Sequence, residues 1–163
     1  MTYFRIASAI GLAFLLPLAY GHSTDLQPLD NGVSTEDVNG LQIAQDINPD
    51  PNIVEINLEA REDFVDLGLG TPTMVYSYNG IVPGPLIQGN VGNTLIVHFT
   101  NNLPEPTTIH WHGLRLPADM DGGIVAQNPI PPGGTFRYEF QLQEASLFWY
   151  HPHVRSNEQV EKG

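Results

Sequence analysis

The sequence predicts an all-β domain, a sandwich or barrel of short strands. Three observations lead to that class. Apolar and polar residues alternate over short runs, the period-two signature of a strand with one buried face. Clusters of Gly, Pro and Asn separate those runs at regular intervals. No amphipathic helical pattern precedes Asn157. The chain has 163 residues, enough for one domain with a real core.

The elements follow in chain order. Met1 to Tyr3 and Arg5 make a short positive start, and Ile6 to Ala19 is an apolar run too short to span a bilayer. Ala19-Tyr20-Gly21 then offers small residues suited to signal peptidase. Residues 1–21 therefore read as a secretory leader cleaved near Gly21, which makes the protein secreted or periplasmic. No Cys follows the apolar run, so a lipoprotein anchor is excluded. Residues 22–50 are rich in Asp, Asn, Gln, Ser and Thr with little periodicity, and read as a flexible lead-in. His22, which opens it, reads as a lead-in residue.

The domain proper spans residues 51–163. Val54, Ile56, Leu58 and Ala60 alternate with Glu55, Asn57 and Glu59 in a first strand. Met74 to Tyr78 is a second, ended by the strong turn signal Asn79-Gly80. Pro83-Gly84-Pro85 is stiff and cannot sit in a central strand. Leu95, Val97 and Phe99 alternate with Ile96, His98 and Thr100 in a third strand, where His98 reads as a surface or satisfied histidine. Thr107 to His112 is a fourth, after the Pro104–Pro106 turn. Gly113 to Gly134 is a long loop holding four Pro and five Gly. Phe136 to Gln141 and Leu147 to His151 complete the set. A last strand ending at His153 leaves an open sheet edge, which β domains usually pair or cover. The expectation is a domain lacking its last strand or strands, the front part of a longer protein.

Composition narrows the partners. The net charge is −12, and cleavage after Gly21 would remove Arg5 and no acid. So acidic a surface repels nucleic acid and anionic lipid, and neither nucleic acid nor membrane is expected as a partner. The absence of Cys excludes disulfides and thiolate zinc or copper sites within these residues.

Chemistry concentrates in two motifs, His110-Trp111-His112-Gly113 and His151-Pro152-His153. On a strand, residues two apart share a face, so each pair presents two imidazoles while Trp111 or Pro152 turns the other way. Imidazole suits copper, zinc, iron and nickel. One such pair is a weak signal, but two of them on predicted strands, both beside Trp, point to a joint metal site. A cupin would need a Glu a few residues after the first pair, and Gly113-Leu114-Arg115-Leu116-Pro117 has none. A metallo-β-lactamase-type zinc site would want Asp two residues after the second His, where Leu114 stands. Trp111 and Trp149 read as core packing around the site.

These motifs resemble those of the multicopper oxidases. Thr108-Ile109-His110-Trp111-His112-Gly113 is similar to the family's first copper motif, and Phe148-Trp149-Tyr150-His151-Pro152-His153 to its second. Asn79-Gly80-Ile81-Val82-Pro83-Gly84-Pro85, Met120-Asp121-Gly122 and Ile130-Pro131-Pro132-Gly133 resemble further family turns, all in the family's order. The resemblance implies a cupredoxin-like Greek-key β-sandwich or barrel, the N-terminal (plastocyanin-like) domain of a laccase-like enzyme. That domain supplies half of the histidines of a trinuclear copper cluster, which reduces O2 to water while a substrate is oxidised one electron at a time. By the same resemblance His110 binds the type 2 copper, His112 and His151 share one type 3 copper, and His153 binds the other. Asp121 matches a loop carboxylate that relays protons there.

Residues two apart on a strand lie about 6.6 Å apart along it, enough to serve neighbouring metals. The family's blue-copper Cys and the other four cluster histidines are absent from these residues, and Asn93 stands where many relatives carry Asp. The implied partners are O2, a small reducing substrate (a phenol, an amine or a metal ion) and the missing C-terminal cupredoxin domains, and the isolated chain is expected to be inactive. Three alternatives rank lower. A periplasmic copper-binding or copper-tolerance protein fits less well with only three Met. A copper nitrite reductase relative spaces its histidines differently. A three-His zinc enzyme needs an open position and a placed general base.

Overall fold

The structure is a computed structural model that describes residues 3–8 and 40–163. Its strands are β1 (Tyr3–Ser8), β2 (Ile53–Val65), β3 (Thr73–Tyr78), β4 (Ile87–Asn90), β5 (Thr94–Asn102), β6 (Ile109–His112), β7 (Thr135–Gln141) and β8 (Leu147–Pro152). One turn of 3-10 helix covers Ala118–Met120, and a short helix α1 covers Ser156–Glu161. None of the helices among the described residues is long and apolar enough to cross a membrane.

The strands form two four-stranded sheets, in the orders β3-β2-β5-β7 and β4-β1-β8-β6. The core lies between them. Ile56, Leu58, Val97, Phe99, Tyr138 and Phe140 come from the first sheet, and Ile87, Ile109, Trp111 and Tyr150 from the second. Alternation explains this placement. In β2, the predicted Val54, Ile56, Leu58 and Ala60 are the buried residues, while Glu55 and Glu59 are only partly covered. In β5, Leu95, Val97 and Phe99 face the core, and His98 on the other face pairs with Glu55 at 2.6 Å. The expected all-β, cupredoxin-like sandwich is therefore the fold observed.

Three expectations change. The alternation ended β2 at Ala60, but the strand runs on to Val65, where it pairs with β3 from Arg61↔Ser77 to Val65↔Thr73. In this extension Arg61, Asp63 and Val65 are partly covered and Glu62 and Phe64 are exposed, so no buried face marks it by a hydrophobic period. Strand β4 was not foreseen, because four residues after a Pro-rich turn are too few for a period to show. The last residues of the segment read as a lead-in make defined contacts. Leu86 exchanges backbone hydrogen bonds with Gln42 and Ala44 at 2.7 and 2.9 Å. The side chains of Asp46, Asn48 and Asp50 each accept a bond from a backbone N–H two residues on, the Asx turns that Asp and Asn favour. His22 lies outside the described residues.

Strand β1 falls within the segment read as a leader. It pairs antiparallel with β4 from Tyr3↔Asn90 to Ile6↔Ile87, and parallel with β8 from Arg5↔Leu147 to Ser8↔Tyr150. The rest of the leader, the cleavage position included, lies outside the described residues.

Candidate metal centre

Strands β6 and β8 pair antiparallel with His110 directly opposite His151. On β6, Ile109 and Trp111 are fully buried, while His110 is half-buried and His112 exposed. On β8, Tyr150 and Pro152 are buried, and Trp149 and His151 lie on the other face. His110, His112 and His151 thus turn outward from one sheet, with Trp111 and Pro152 inward, as strand parity requires, and His153 follows the end of β8.

The four imidazoles meet. His110 and His153 stack at 4.3 Å with ring planes 13° apart. Nδ1 of His112 lies 3.4 Å from Nε2 of His151. His110, His151 and His153 each offer a ring nitrogen within 4.8 Å of the other two. The donor set fits a metal. Nδ1 of His110 lies 2.8 Å from the Asp121 carbonyl oxygen and 3.2 Å from Asp121 Oδ1. A carbonyl oxygen only accepts, so Nδ1 carries the proton and Nε2 keeps its lone pair for a ligand bond. His151 uses the same device, with Nδ1 3.0 Å from the Pro152 carbonyl. Two bonds of about 2.0 Å at a tetrahedral angle put their nitrogens about 3.3 Å apart, close to the His112–His151 separation. Burial lowers the pKa of both His151 and His153, and the neighbouring imidazoles lower it further. A lowered pKa favours the neutral ring, the state that ligates.

Trp149 corrects the sequence reading. It shares strand parity with His151, and its indole is a wall of the site. It stacks on His151 at 4.1 Å and on His112 at 4.7 Å. Those two rings are only 5.6 Å apart, so both lie on the same side of the indole. Trp111 is core, as expected, against Tyr138, Phe140 and Tyr150.

The Asp121 loop comes to β6 by a close backbone approach. Thr108 Oγ1 donates to the Gly122 carbonyl at 2.7 Å. A Cβ on Gly122 would stand 2.1 Å from the Ile109 carbonyl oxygen, and its φ is +74°. Only glycine permits this contact. Two residues that the sequence reading did not single out also hold β6. The hydroxyl of buried Tyr138 accepts from the Ile109 N–H at 2.9 Å. Buried Gln159 accepts from Thr107 Oγ1 at 2.8 Å. Tyr138 was legible only as a core alternation residue, and Gln159 carried no signal.

A β-sandwich presenting outward-facing imidazoles from two paired strands defines a histidine-rich metal-binding domain. Comparison with known proteins gives the family. Residues 61–163 match the family model described as multicopper oxidase, and the chain belongs to that family. It is 36% identical over 151 residues to multicopper oxidase MmcO of Mycobacterium tuberculosis, covering 91% of this chain and 28% of that protein. It is 51% identical over 88 residues to laccase-1 of Cryptococcus neoformans, covering 51% of this chain and 14% of the relative. The structure matches the multicopper oxidase of Campylobacter jejuni, described as a metallo-oxidase, with TM-score 0.70 at 36% identity, over 78% of this chain and 28% of that one. The chain thus spans less than a third of these relatives. Copper is the cofactor implied by the family, and the imidazole cluster suits it.

Proposed function

We propose that this domain supplies half of the histidines of a trinuclear copper cluster in a laccase-like oxidase. The observation that supports it most is the meeting of His112 Nδ1 and His151 Nε2 at 3.4 Å from two separate motifs. In this reading those two hold one type 3 copper, His153 the other, and His110 the type 2 copper. When bound, the copper cluster supplies the four-electron reduction of O2. The chain's own residues hold and orient. The Asp121 carbonyl fixes the His110 tautomer, Trp149 backs His112 and His151, and the Asp121 carboxylate at 3.2 Å from His110 carries protons toward the centre. The reducing substrate is a phenol, an amine or a metal ion, and the remaining ligands come from further cupredoxin domains.

Copper titration of the protein tests this, with zinc as competitor. Copper is expected to displace zinc, and His112→Ala with His151→Ala to remove most of the bound copper. The 163-residue chain alone is expected to consume no O2 with a phenol. Preference for zinc would favour a hydrolytic site, and phenol-dependent O2 uptake by the chain alone would overturn the half-site reading.

Export with cleavage near Gly21 completes the proposal. It makes residues 22–50 the start of the mature protein and takes β1 out of its sheet. The intact mass of the exported protein checks it: a start near His22 is expected, and retention of Met1 would refute the leader.

A further inference from the structure

We propose that Gln159 is a positioning residue that holds His153 in the metal centre from behind. The inference rests on the copper reading above and concerns one of its ligands.

The other three histidines lie on strands, whereas His153 does not. The β6–β8 ladder ends at Ile109↔Pro152, and His153 follows the end of β8. Its ring nevertheless stacks on His110. Pro152 before it is held by the ladder, and the chain that leaves His153 supplies the other constraint. That chain turns through Arg155, in the left-handed region at φ 45°, into the six-residue helix α1. A helix so short has little stability of its own, so its place is set by what it docks on.

α1 docks on the segment that leads into β6. Gln159 Nε2 donates to the Pro106 carbonyl at 2.9 Å, and Gln159 Oε1 accepts from Thr107 Oγ1 at 2.8 Å. The side chain is 1% exposed. Thr107 is itself pinned by two backbone bonds to Ile130, at 3.1 and 2.8 Å. One buried amide thus joins the chain leaving His153 to the chain entering His110.

The surrounding ties are of other kinds. Glu105 receives Arg155 at 3.2 Å and Lys162 at 3.0 Å, but both cations are about half exposed, and ion pairs in water hold weakly. The Tyr76 N–H donates to the Lys162 carbonyl at 2.8 Å and fastens the far end of α1. Gln159 is the buried, two-bond contact nearest His153 along the chain.

The test compares Gln159→Met, similar in length and without either hydrogen bond, with the wild type in the full-length protein. Leu142→Ala, at a core position outside the site, serves as a variant of lowered stability. One readout is the imidazole NMR signals of nitrogen-15-labelled histidine in metal-free protein. The other is the copper affinity measured by titration with Cu(II). Gln159→Met is expected to shift or broaden the His153 and His110 rings, leave His112 little changed, and weaken copper about tenfold, as loss of supporting groups around metal ligands does. Thr107→Val removes one of the two bonds and should give a smaller shift of the same signals. It carries the test if Gln159→Met does not fold. Wild-type His153 signals in both variants, or equal shifts in Leu142→Ala, would overturn the proposal. A wild type that binds no copper would instead refute the copper reading, and the metal-free ring signals would still judge Gln159.

Discussion

The two sheets of this sandwich are built differently. In the β3-β2-β5-β7 sheet, β2 is 13 residues long and pairs with β5 from Ile53↔Thr94 to Arg61↔Asn102. In the other sheet, β6 has only four residues and pairs with β8 over those four. The long sheet holds itself together by its own ladder. The short one is held from outside: by the Tyr138 hydroxyl on the Ile109 N–H, by Gln159 on Thr107, and by the Gly122 carbonyl on Thr108. Every candidate ligand sits on or beside the short sheet. The difference teaches that the long ladder and the candidate ligands fall on different sheets, and that the alignment of the ligands depends on contacts between elements.

Two substitutions probe that difference, the larger in stability first. Phe99→Ala removes a 1% exposed ring from the long sheet and should cost about 3–5 kcal/mol. Urea unfolding measures it, and the copper bound per folded molecule should stay at the wild-type level. A selective loss of copper affinity in the folded fraction would break the comparison. Gly122→Ala acts the other way. Its Cβ meets the Ile109 carbonyl at 2.1 Å, so β6 and the Asp121 loop must separate. The cost should be smaller, about 1–3 kcal/mol for a strained backbone position. The loss in copper affinity should nevertheless be the larger of the two, because His110 loses the Asp121 carbonyl that sets its tautomer. Unchanged copper binding in Gly122→Ala would show that the site does not depend on the loop.

The metal-site face was legible in the sequence because strand parity is a local rule. On β6, His110 and His112 share a face by parity, and on β8 His151 takes the face opposite Pro152; His153 lies just past β8, where parity no longer sets it. The same rule placed Trp149 beside His151. Reading that indole as core gave hydrophobicity more weight than parity, and the structure reverses it. The core residues of β2, β5 and β7 were legible for the same reason, since period two survives in any sheet with one buried face.

The sequence alone determined the all-β class, the strands with a clear period, the two imidazole pairs and their resemblance to a copper-binding family. Only the tertiary structure decided that the pairs lie opposite each other, at His110↔His151. It alone brought Asp121 to His110, gave Tyr138 and Gln159 their holds on β6, and set His153 against His110. These are contacts between residues 11 to 53 positions apart. Local periodicity carries no information about such pairs, because they depend on how the chain closes on itself and on which buried polar groups find partners there.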